Sequence, residues 1–361
     1  MLGWIRFVLG GMVLAGLSGW AGWAHPPQQP EVRNDWKLDE IRVHDPWILA
    51  DLPSKTYFLY TAGRSMSGGT PHGAVIAYRS KDLVTWSGPE TVFEVPDGGW
   101  ANPADGLWAP EVHFYKGHYY LLATLHNNAR GLPAGGSGAE SGGDTTAEVK
   151  YRGVGPHLRG TQVFQGDAPI GPFKPLVDRP APPPSYMTLD GTLWEEDGVP
   201  YMVYAHEWIQ LVDGAMEAVP LKPDLSAAAG DPIYLFKASD APWLAERSKT
   251  SNKPTNYVTD GPELYRTKDG RLVMIWSSFR DGKYVETQAH SASGKLRGPW
   301  RQDGVLVGND SGHGMIFHTF DGRLLLVVHH PNDGRLARPN LYELEETDAG
   351  LQVKAGQSGA K

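Results

Sequence analysis

Three acidic residues stand at the start of short apolar segments that lie far apart in the chain. Asp45 lies in HDPWIL, Asp190 in LDGTLW and Glu263 in DGPELY. Each has an ordinary interpretation, because Asp-Pro and Asp-Gly are frequent in turns and a glutamate at a strand entry is often exposed. If folding brings the three together, one carboxyl stays protonated while another ionises. Hydrolysis of a glycosidic bond needs such an acid for the leaving oxygen and such a base for water.

The segments that carry these residues follow a repeated pattern. Asp190 precedes the apolar run 192–194, which is followed by the pair Asp197-Gly198 and a second apolar run, 201–204. Asp-Gly between two such runs predicts a β-hairpin, because a type I′ turn needs positive φ at both central residues. The same order of apolar run, turn and apolar run occurs five times, in segments that begin near Asp45, Trp108, Leu189, Asp260 and Gly312.

Five hairpins, each followed by a weaker half with one or two further strands, predict an all-β fold. We expect a five-bladed β-propeller with four-stranded blades around a central axis, formed by residues 41–353 as a single domain. The segments 127–160 and 237–257 are insertions, the first of them rich in Gly and Ser. Part of 32–43 is expected to add a strand to the last blade and close the ring. The innermost strands of a propeller converge, so the heads of the repeats should meet at one end of the axis.

The composition agrees with many short strands and turns. The 361 residues include 44 Gly and 29 Pro, and 11% of them are aromatic, which is ample material for a core. The net charge of −8 has no long run of one sign, so nucleic acid and anionic membrane surfaces are poor partners and a neutral substrate is compatible. The absence of cysteine excludes disulfides.

The first 24 residues are typical of a secretory signal. An arginine precedes an apolar stretch, and small residues stand before the expected cleavage point at residue 24. This predicts a secreted or periplasmic protein that is free of the membrane once the signal is removed. The alternative is an uncleaved anchor, for which the stretch is short. Residues 25–40 are a polar lead-in, and residues 354–361 are expected to be a disordered tail.

Five motifs follow one another along the chain, each at the head of a hairpin: HDPWI, WAPEV, LDGTLWEEDGVPYMVY, TDGPELY and SGHGMIF. Over about residues 41–345 this series resembles glycoside hydrolase family 43. The resemblance implies a five-bladed propeller, the blade number that the repeats predict, and inverting hydrolysis. By position it makes Asp45 the general base that activates water and Glu263 the general acid. Asp190 becomes the third carboxylate, which raises the pKa of the acid and orients it.

The resemblance and the repeat positions indicate four further site residues. His313, in the GHG motif, matches a histidine near the central channel that often lies beside a calcium ion held through water; no cofactor is required. Trp108 is expected to stack on a sugar face, with ordinary packing as the alternative. Glu111 is expected to support the site by hydrogen bonding and Glu207 to contact sugar hydroxyls, and for both a purely structural role is the alternative.

The expected activity is the removal of terminal pentose residues from plant-type oligosaccharides or polysaccharides. The form of the third repeat favours an exo-acting α-L-arabinofuranosidase, with β-xylosidase or exo-galactanase as alternatives. A non-catalytic carbohydrate-binding propeller is the alternative from another class. His329 and His330 are interpreted as structural, because neighbouring strand residues point to opposite faces.

Overall fold

The computed structural model describes residues 32–133, 155–244, 257–348 and 350–355, and these residues form five antiparallel sheets. The predicted signal, residues 1–24, lies outside the described residues, as do parts of the lead-in, of both insertions and of the C-terminal tail. Among the described residues, no helix is long and apolar enough to cross a membrane.

The first sheet has five strands, and its order is β1-β5-β4-β3-β2, with β2 innermost. These strands are β1 (Arg33–Trp36), β2 (Trp47–Asp51), β3 (Thr56–Ser67), β4 (Thr70–Ser80) and β5 (Trp86–Glu94).

Each of the other four sheets has four strands in chain order from the inside outward. The second sheet contains β6 (Leu107–Tyr115), β7 (His118–Asn127), β8 (Leu158–Gly166) and β9 (Lys174–Pro175). The third contains β10 (Thr188–Glu196), β11 (Val199–His206), β12 (Ala215–Pro220) and β13 (Ile233–Lys237). The fourth contains β14 (Asp260–Arg266), β15 (Leu272–Arg280), β16 (Lys283–Ser291) and β17 (Trp300–Val307). The fifth contains β18 (Gly312–His318), β19 (Leu324–His330), β20 (Arg338–Thr347) and β21 (Gly350–Val353).

This arrangement confirms the predicted five-bladed propeller. The hairpin predicted from Asp197-Gly198 joins β10 to β11, and both residues have positive φ, 52° and 80°, as a type I′ turn requires. Helical structure in the described residues is limited to α1 (Trp208–Leu211) and short 3₁₀ turns at Leu38–Glu40, Pro103–Asp105 and Ala238–Asp240.

The N-terminal strand contradicts one expectation about ring closure. β1 pairs with β5 on the outer edge of the first sheet, not with the last sheet. The indole N–H of Trp36 donates to the carbonyl of Gly88 at 3.0 Å, which fixes the strand there. The first and fifth sheets meet instead through contacts between their innermost strands, such as the N–H of Ile48 that donates to Sδ of Met315 at 3.4 Å, and through the Arg338 Nε–H that donates to the carbonyl of Asp39 at 2.9 Å.

The apolar core fills the spaces between neighbouring sheets. Successive residues of β15 illustrate this, because a strand points alternate side chains to opposite faces. Met274 and Trp276 pack against the third sheet, whereas Val273 and Ile275 pack against the fifth. Both faces of each blade are therefore buried, and the innermost strands are held in fixed positions around the axis.

Candidate active site

A backbone irregularity recurs near the start of all five innermost strands. One residue in each has φ between 41° and 55°, and in the second to fifth sheets the pairing register shifts at this residue. Such a bulge adds a residue and redirects its side chain. These five residues, here called the upper ring, are Asp45, Ala109, Asp190, Gly261 and His313.

The side chains that stabilise these bulges come from the preceding sheet. The N–H of Asp190 donates to Thr124 Oγ1 at 2.8 Å, and the N–H of His313 donates to Ser277 Oγ at 2.7 Å. The N–H of Asp45 donates to Nδ1 of His329 at 3.2 Å, which closes the series between the fifth and first sheets. The ring geometry therefore depends on contacts between blades.

Two of the predicted carboxylates and the predicted histidine meet at the axis. Nδ1 of His313 lies 3.1 Å from Oδ1 of Asp45 and 3.8 Å from Oδ2 of Asp190. All three side chains are at most slightly exposed. Residues from three different blades are thus brought into contact, as the convergence of repeats predicts.

Asp45 is held as an ionised carboxylate. Oδ1 of Asp45 accepts a hydrogen bond from Nδ1 of His44 at 2.8 Å, and Nε2 of His44 lies 3.1 Å from Asn332 Oδ1, so both ring nitrogens donate. Burial disfavours the positive charge of His44, but the Asp45 carboxylate outweighs burial and raises the pKa of His44 to about 9. Burial likewise disfavours ionisation of Asp45, yet His313 and His44 outweigh it and keep the pKa of Asp45 below its ordinary value.

Asp190 has the opposite protonation preference. Its Oδ2 accepts the N–H of Gly261 at 3.1 Å, and the side chain is buried. Burial and then the nearby charge of Asp45 raise the pKa of Asp190 well above its ordinary value. One ionised and one neutral carboxyl therefore lie side by side, which is the separation expected for coupled acids.

A further carboxyl, Asp260, lies with Asp45 and Asp190, although the sequence analysis did not select it as a site residue. It precedes Gly261 of the upper ring, and its Oδ2 accepts the hydroxyl of Tyr284 at 3.1 Å. Burial, followed by the charge of Asp190, raises the pKa of Asp260 to about 8. The available signal was the pattern of an aspartate followed by Pro or Gly, which Asp260 shares with Asp45 and Asp190.

The structure places Glu263 at a different level of the axis. It belongs to the lower ring, the set of residues two positions after the upper ring: Trp47, Glu111, Thr192, Glu263 and Met315. Oε2 of Glu263 accepts the N–H of Ile316 at 2.6 Å. Burial, then the neighbouring charges of Glu111 and Glu286, raise the pKa of Glu263 well above its ordinary value. It lines a pocket of about 530 Å³ with later residues of the innermost strands, including exposed Phe114.

Glu111 is also in the lower ring and is buried. Its Oε2 lies 2.8 Å from Nε2 of His113, and burial raises the pKa of Glu111 well above its ordinary value. Together with Asp45 and His313 it lines a cavity of about 10 Å³, close to the size of one water molecule. Glu111 thus lies directly beyond the upper ring along the axis.

Trp108 and Glu207 flank the upper ring on two neighbouring blades. Trp108 remains 41% exposed, and its ring makes an edge contact with the ring of His126 at 4.3 Å between centroids. Glu207 is buried and pairs with the guanidinium of Arg159. The exposed face of Trp108 is compatible with sugar stacking, while Glu207 is too enclosed to be mainly a surface contact.

Two arrangements near the axis contain side chains that could bind a metal ion. Among the described residues, His44, Asp45 and His329 offer ligand atoms within 4.8 Å of one another. Those atoms are engaged in the hydrogen bonds to Asp45, and burial lowers the pKa of His329 to about 3, so it is a neutral acceptor. Calcium takes six to eight oxygen ligands. The Asp45 carboxylate beside His313 supplies few of them, so a calcium held mainly through water stays a prediction.

The comparisons with known proteins decide the family. The sequence matches glycosyl hydrolases family 43 over residues 40–348. The chain belongs to this family. It is therefore a glycoside hydrolase of an inverting family.

The relatives of this family-43 glycoside hydrolase include arabinan-degrading enzymes. An endo-arabinase from Bacteroides thetaiotaomicron is 35% identical with a TM-score of 0.73, over 88% of this chain and 99% of that one. An extracellular endo-α-(1→5)-L-arabinanase from Bacillus subtilis (strain 168) is 26% identical over 140 residues, 34% of this chain and 41% of the relative. The match thus spans less than half of that relative's length. An α-L-arabinofuranosidase from Lactobacillus brevis, 16% identical with a TM-score of 0.61 over 88% of this chain and 94% of that one, shares the fold.

In a family-43 glycoside hydrolase the upper ring and the adjacent Asp260 suit acid–base catalysis. Asp45 is ionised and is able to accept a proton from water, whereas Asp260, with a pKa of about 8, holds a proton at neutral pH. Inversion needs both states at once on opposite sides of the bond.

Proposed function

We propose that this hydrolase cleaves α-(1→5)-linked arabinan internally. The observation that carries the catalytic part is the upper ring, where an ionised Asp45 lies in one buried group with protonated carboxyls. Support for the substrate comes from the 35% identical endo-arabinase and from the extracellular endo-arabinanase. These relatives favour internal cleavage over the removal of terminal residues expected from the third repeat.

Within this proposal, Asp45 is the general base for water. Asp190 sets the electrostatic environment, since Asp45 raises the pKa of Asp190 and Asp190 in turn raises the pKa of Asp260. The proton donor is Asp260, because it is a buried carboxyl that holds a proton at neutral pH and whose pKa is raised in part by the ionised Asp45. Glu263, which the family resemblance makes the donor, lines the separate pocket at the lower ring.

The substrate proposal is tested by product length. The purified enzyme is incubated with linear α-(1→5)-arabinan, and products are separated over time beside a viscosity measurement. Internal cleavage predicts a rapid fall in viscosity with a mixture of oligosaccharides. Arabinose as the sole early product would support the exo-acting alternative, and release from xylan or galactan alone would replace arabinan as the substrate.

Export is part of the same proposal. The first 24 residues are typical of a secretory signal, and the Bacillus subtilis relative is named as extracellular. Polymeric arabinan is too large to enter a cell, so a secreted or periplasmic location fits the substrate. Fractionation of the native host, followed by N-terminal sequencing of the protein found outside the cytoplasm, tests export and the cleavage position together.

A further inference from the structure

A buried arginine lies between the exposed ring of Trp108 and the buried carboxyl of Glu207. Arg159 is the second residue of β8, opposite His126 of β7, and its side chain is only 6% exposed. A guanidinium stays charged in proteins, so burial requires partners for its N–H groups. The identity of these partners connects two parts of the site.

The guanidinium has four neighbours. Its Nε–H donates to Nδ1 of His126 at 2.9 Å, and Nη2 lies 3.1 Å from Nε2 of His157. Nη1 donates to Oε2 of Glu207 in a close ion pair. The fourth neighbour is Trp108, whose ring centroid lies 4.4 Å from the guanidinium carbon.

The contact with Trp108 holds an exposed ring in one orientation. The guanidinium covers the ring, and His126 contacts it at an interplanar angle of 61°. An arginine over an indole is a favourable cation–π pair, and it strengthens where water is excluded. Arg159 and His126 therefore hold the Trp108 ring in place, and its remaining exposed surface is accessible to a ligand.

His126 supports this assignment. Its Nδ1 accepts the hydrogen bond from Arg159, so Nε2 carries the proton, and this buried N–H has no hydrogen-bond partner among the described residues. An unpaired buried donor costs free energy. The unpaired N–H of His126 is thus an unfavourable feature of the same arrangement that holds Arg159 against Trp108.

The contact with Glu207 connects Arg159 to the carboxyls. Glu207 is 3% exposed, and burial raises its pKa while the Arg159 charge acts against that rise. The charge of Glu207 in turn contributes to the environments of Asp190 and Asp260. Arg159 therefore supports a negative charge next to the proposed proton donor.

We propose that Arg159 is a positioning residue that holds the Trp108 ring for sugar stacking and holds Glu207 beside Asp190 and Asp260. This inference rests on the proposed hydrolysis of arabinan. Arg159 acts through its two partners, because its own side chain is enclosed by them.

The test combines single variants with double-mutant cycles on linear arabino-oligosaccharides. Arg159→Met is expected to lower kcat/KM by about 10- to 100-fold, since small displacements of positioning groups have effects of that size. Arg159→Lys keeps the charge but not the planar fork and should be intermediate. The control is Arg79→Met, which removes an ion-paired arginine of the first sheet and should keep kcat/KM within about twofold.

The cycles separate positioning from a general structural role. If Arg159 acts through its partners, Arg159→Met should have at most about a threefold further effect on KM in a Trp108→Ala background and on kcat in a Glu207→Gln background. Thermal unfolding of every variant monitors folding. Effects that multiply independently in both cycles would overturn the inference.

The pH profile provides a second measurement. The titratable groups around Asp260 are Asp45, Asp190, Glu207, His313 and Tyr284. Without Arg159, burial favours the protonated form of Glu207, and the loss of its charge lowers the pKa of Asp260. The basic limb of kcat/KM should therefore move to lower pH in Arg159→Met, whereas an unchanged limb argues against positioning.

The two levels of failure are distinguishable. Wild-type hydrolysis with an unaffected Arg159→Met variant rejects this inference alone. A wild type that hydrolyses no arabinan rejects the proposed function and this inference with it.

Discussion

Two histidine–carboxylate pairs, one at each ring, behave in opposite ways. His44 and Asp45 are joined by a contact of 2.8 Å, and so are His113 and Glu111. The pKa of His44 is raised to about 9 and that of Asp45 is lowered, so the first pair is ionic. Burial lowers the pKa of His113 to about 3 and raises that of Glu111, so the second pair is neutral.

The difference comes from the additional partners of the first pair. Asn332 accepts from Nε2 of His44, and His313 contacts the same oxygen of Asp45 that His44 contacts. In the second pair, burial is the largest cause of the pKa shifts of both His113 and Glu111. Burial alone therefore yields neutral groups, and a base appears where histidines and hydrogen-bond acceptors support the charge.

The largest expected effect is the loss of the upper-ring base. Asp45→Asn removes the group that accepts a proton from water, and kcat/KM on arabinan should fall by about 10²- to 10⁴-fold. Steady-state kinetics measure the loss. Asp51→Asn, which alters another buried aspartate near the far end of β2, is the control for the general cost of such a change. Equal losses of kcat/KM in both variants would contradict the assignment of Asp45 as the general base.

The next effect concerns pH. His44→Gln removes a positive charge but keeps an N–H donor, so the pKa of Asp45 should rise and the acidic limb of kcat/KM should move to higher pH by about 1–2 units. The counterpart at the lower ring, His113→Gln, replaces a ring that is already neutral and should leave this limb in place. An equal shift in both variants would contradict the contrast between the two pairs.

The smallest effect concerns stability near the lower ring. Glu286 accepts hydrogen bonds from Ser277 Oγ and the N–H of Gly314, and burial raises its pKa to about 8. The folded state therefore retains a proton that the unfolded chain releases above its ordinary pKa of 4.5. Stability attributable to this group is present below pH 4.5 and decreases as the pH rises toward 8.

Glu286→Gln should flatten this dependence by at most about 1.4 kcal/mol per pH unit, the limit for one proton. Chemical denaturation between pH 5 and about 8 measures it. An unaltered slope would show that Glu286 is ionised in the folded state, in conflict with a burial-dominated lower level of the axis.

The repeats predict the blades because alternation and Asp-Gly turns are local signals. The sequence does not determine which blade receives an extra strand, since β1 is placed by a contact from Trp36 to the distant Gly88. For the same reason the direct contacts that join the first and fifth sheets without a shared strand were not predicted.

The sequence predicts those site residues whose place within a repeat determines where they lie in the fold. Asp45, Asp190 and His313 have the same positive-φ position in three repeats, and the motifs locate all of them. The distinction between Asp260 and Glu263 depends on the bulge at Gly261, which separates these two residues to different levels of the axis although only two residues stand between them. His44 and Asn332, 288 positions apart, meet only after the ring closes.

The dependence on leaving group tests most directly whether Asp260, next to the upper ring, is the proton donor. Asp260→Asn and Glu263→Gln are compared on linear arabinan and on a dinitrophenyl arabino-oligosaccharide, whose leaving group departs without a proton. We predict that Asp260→Asn loses about 10²-fold or more on arabinan and much less on the activated substrate, while Glu263→Gln affects both alike. The reverse pattern, with the substrate-dependent loss confined to Glu263→Gln, would contradict the assignment of Asp260 as the donor.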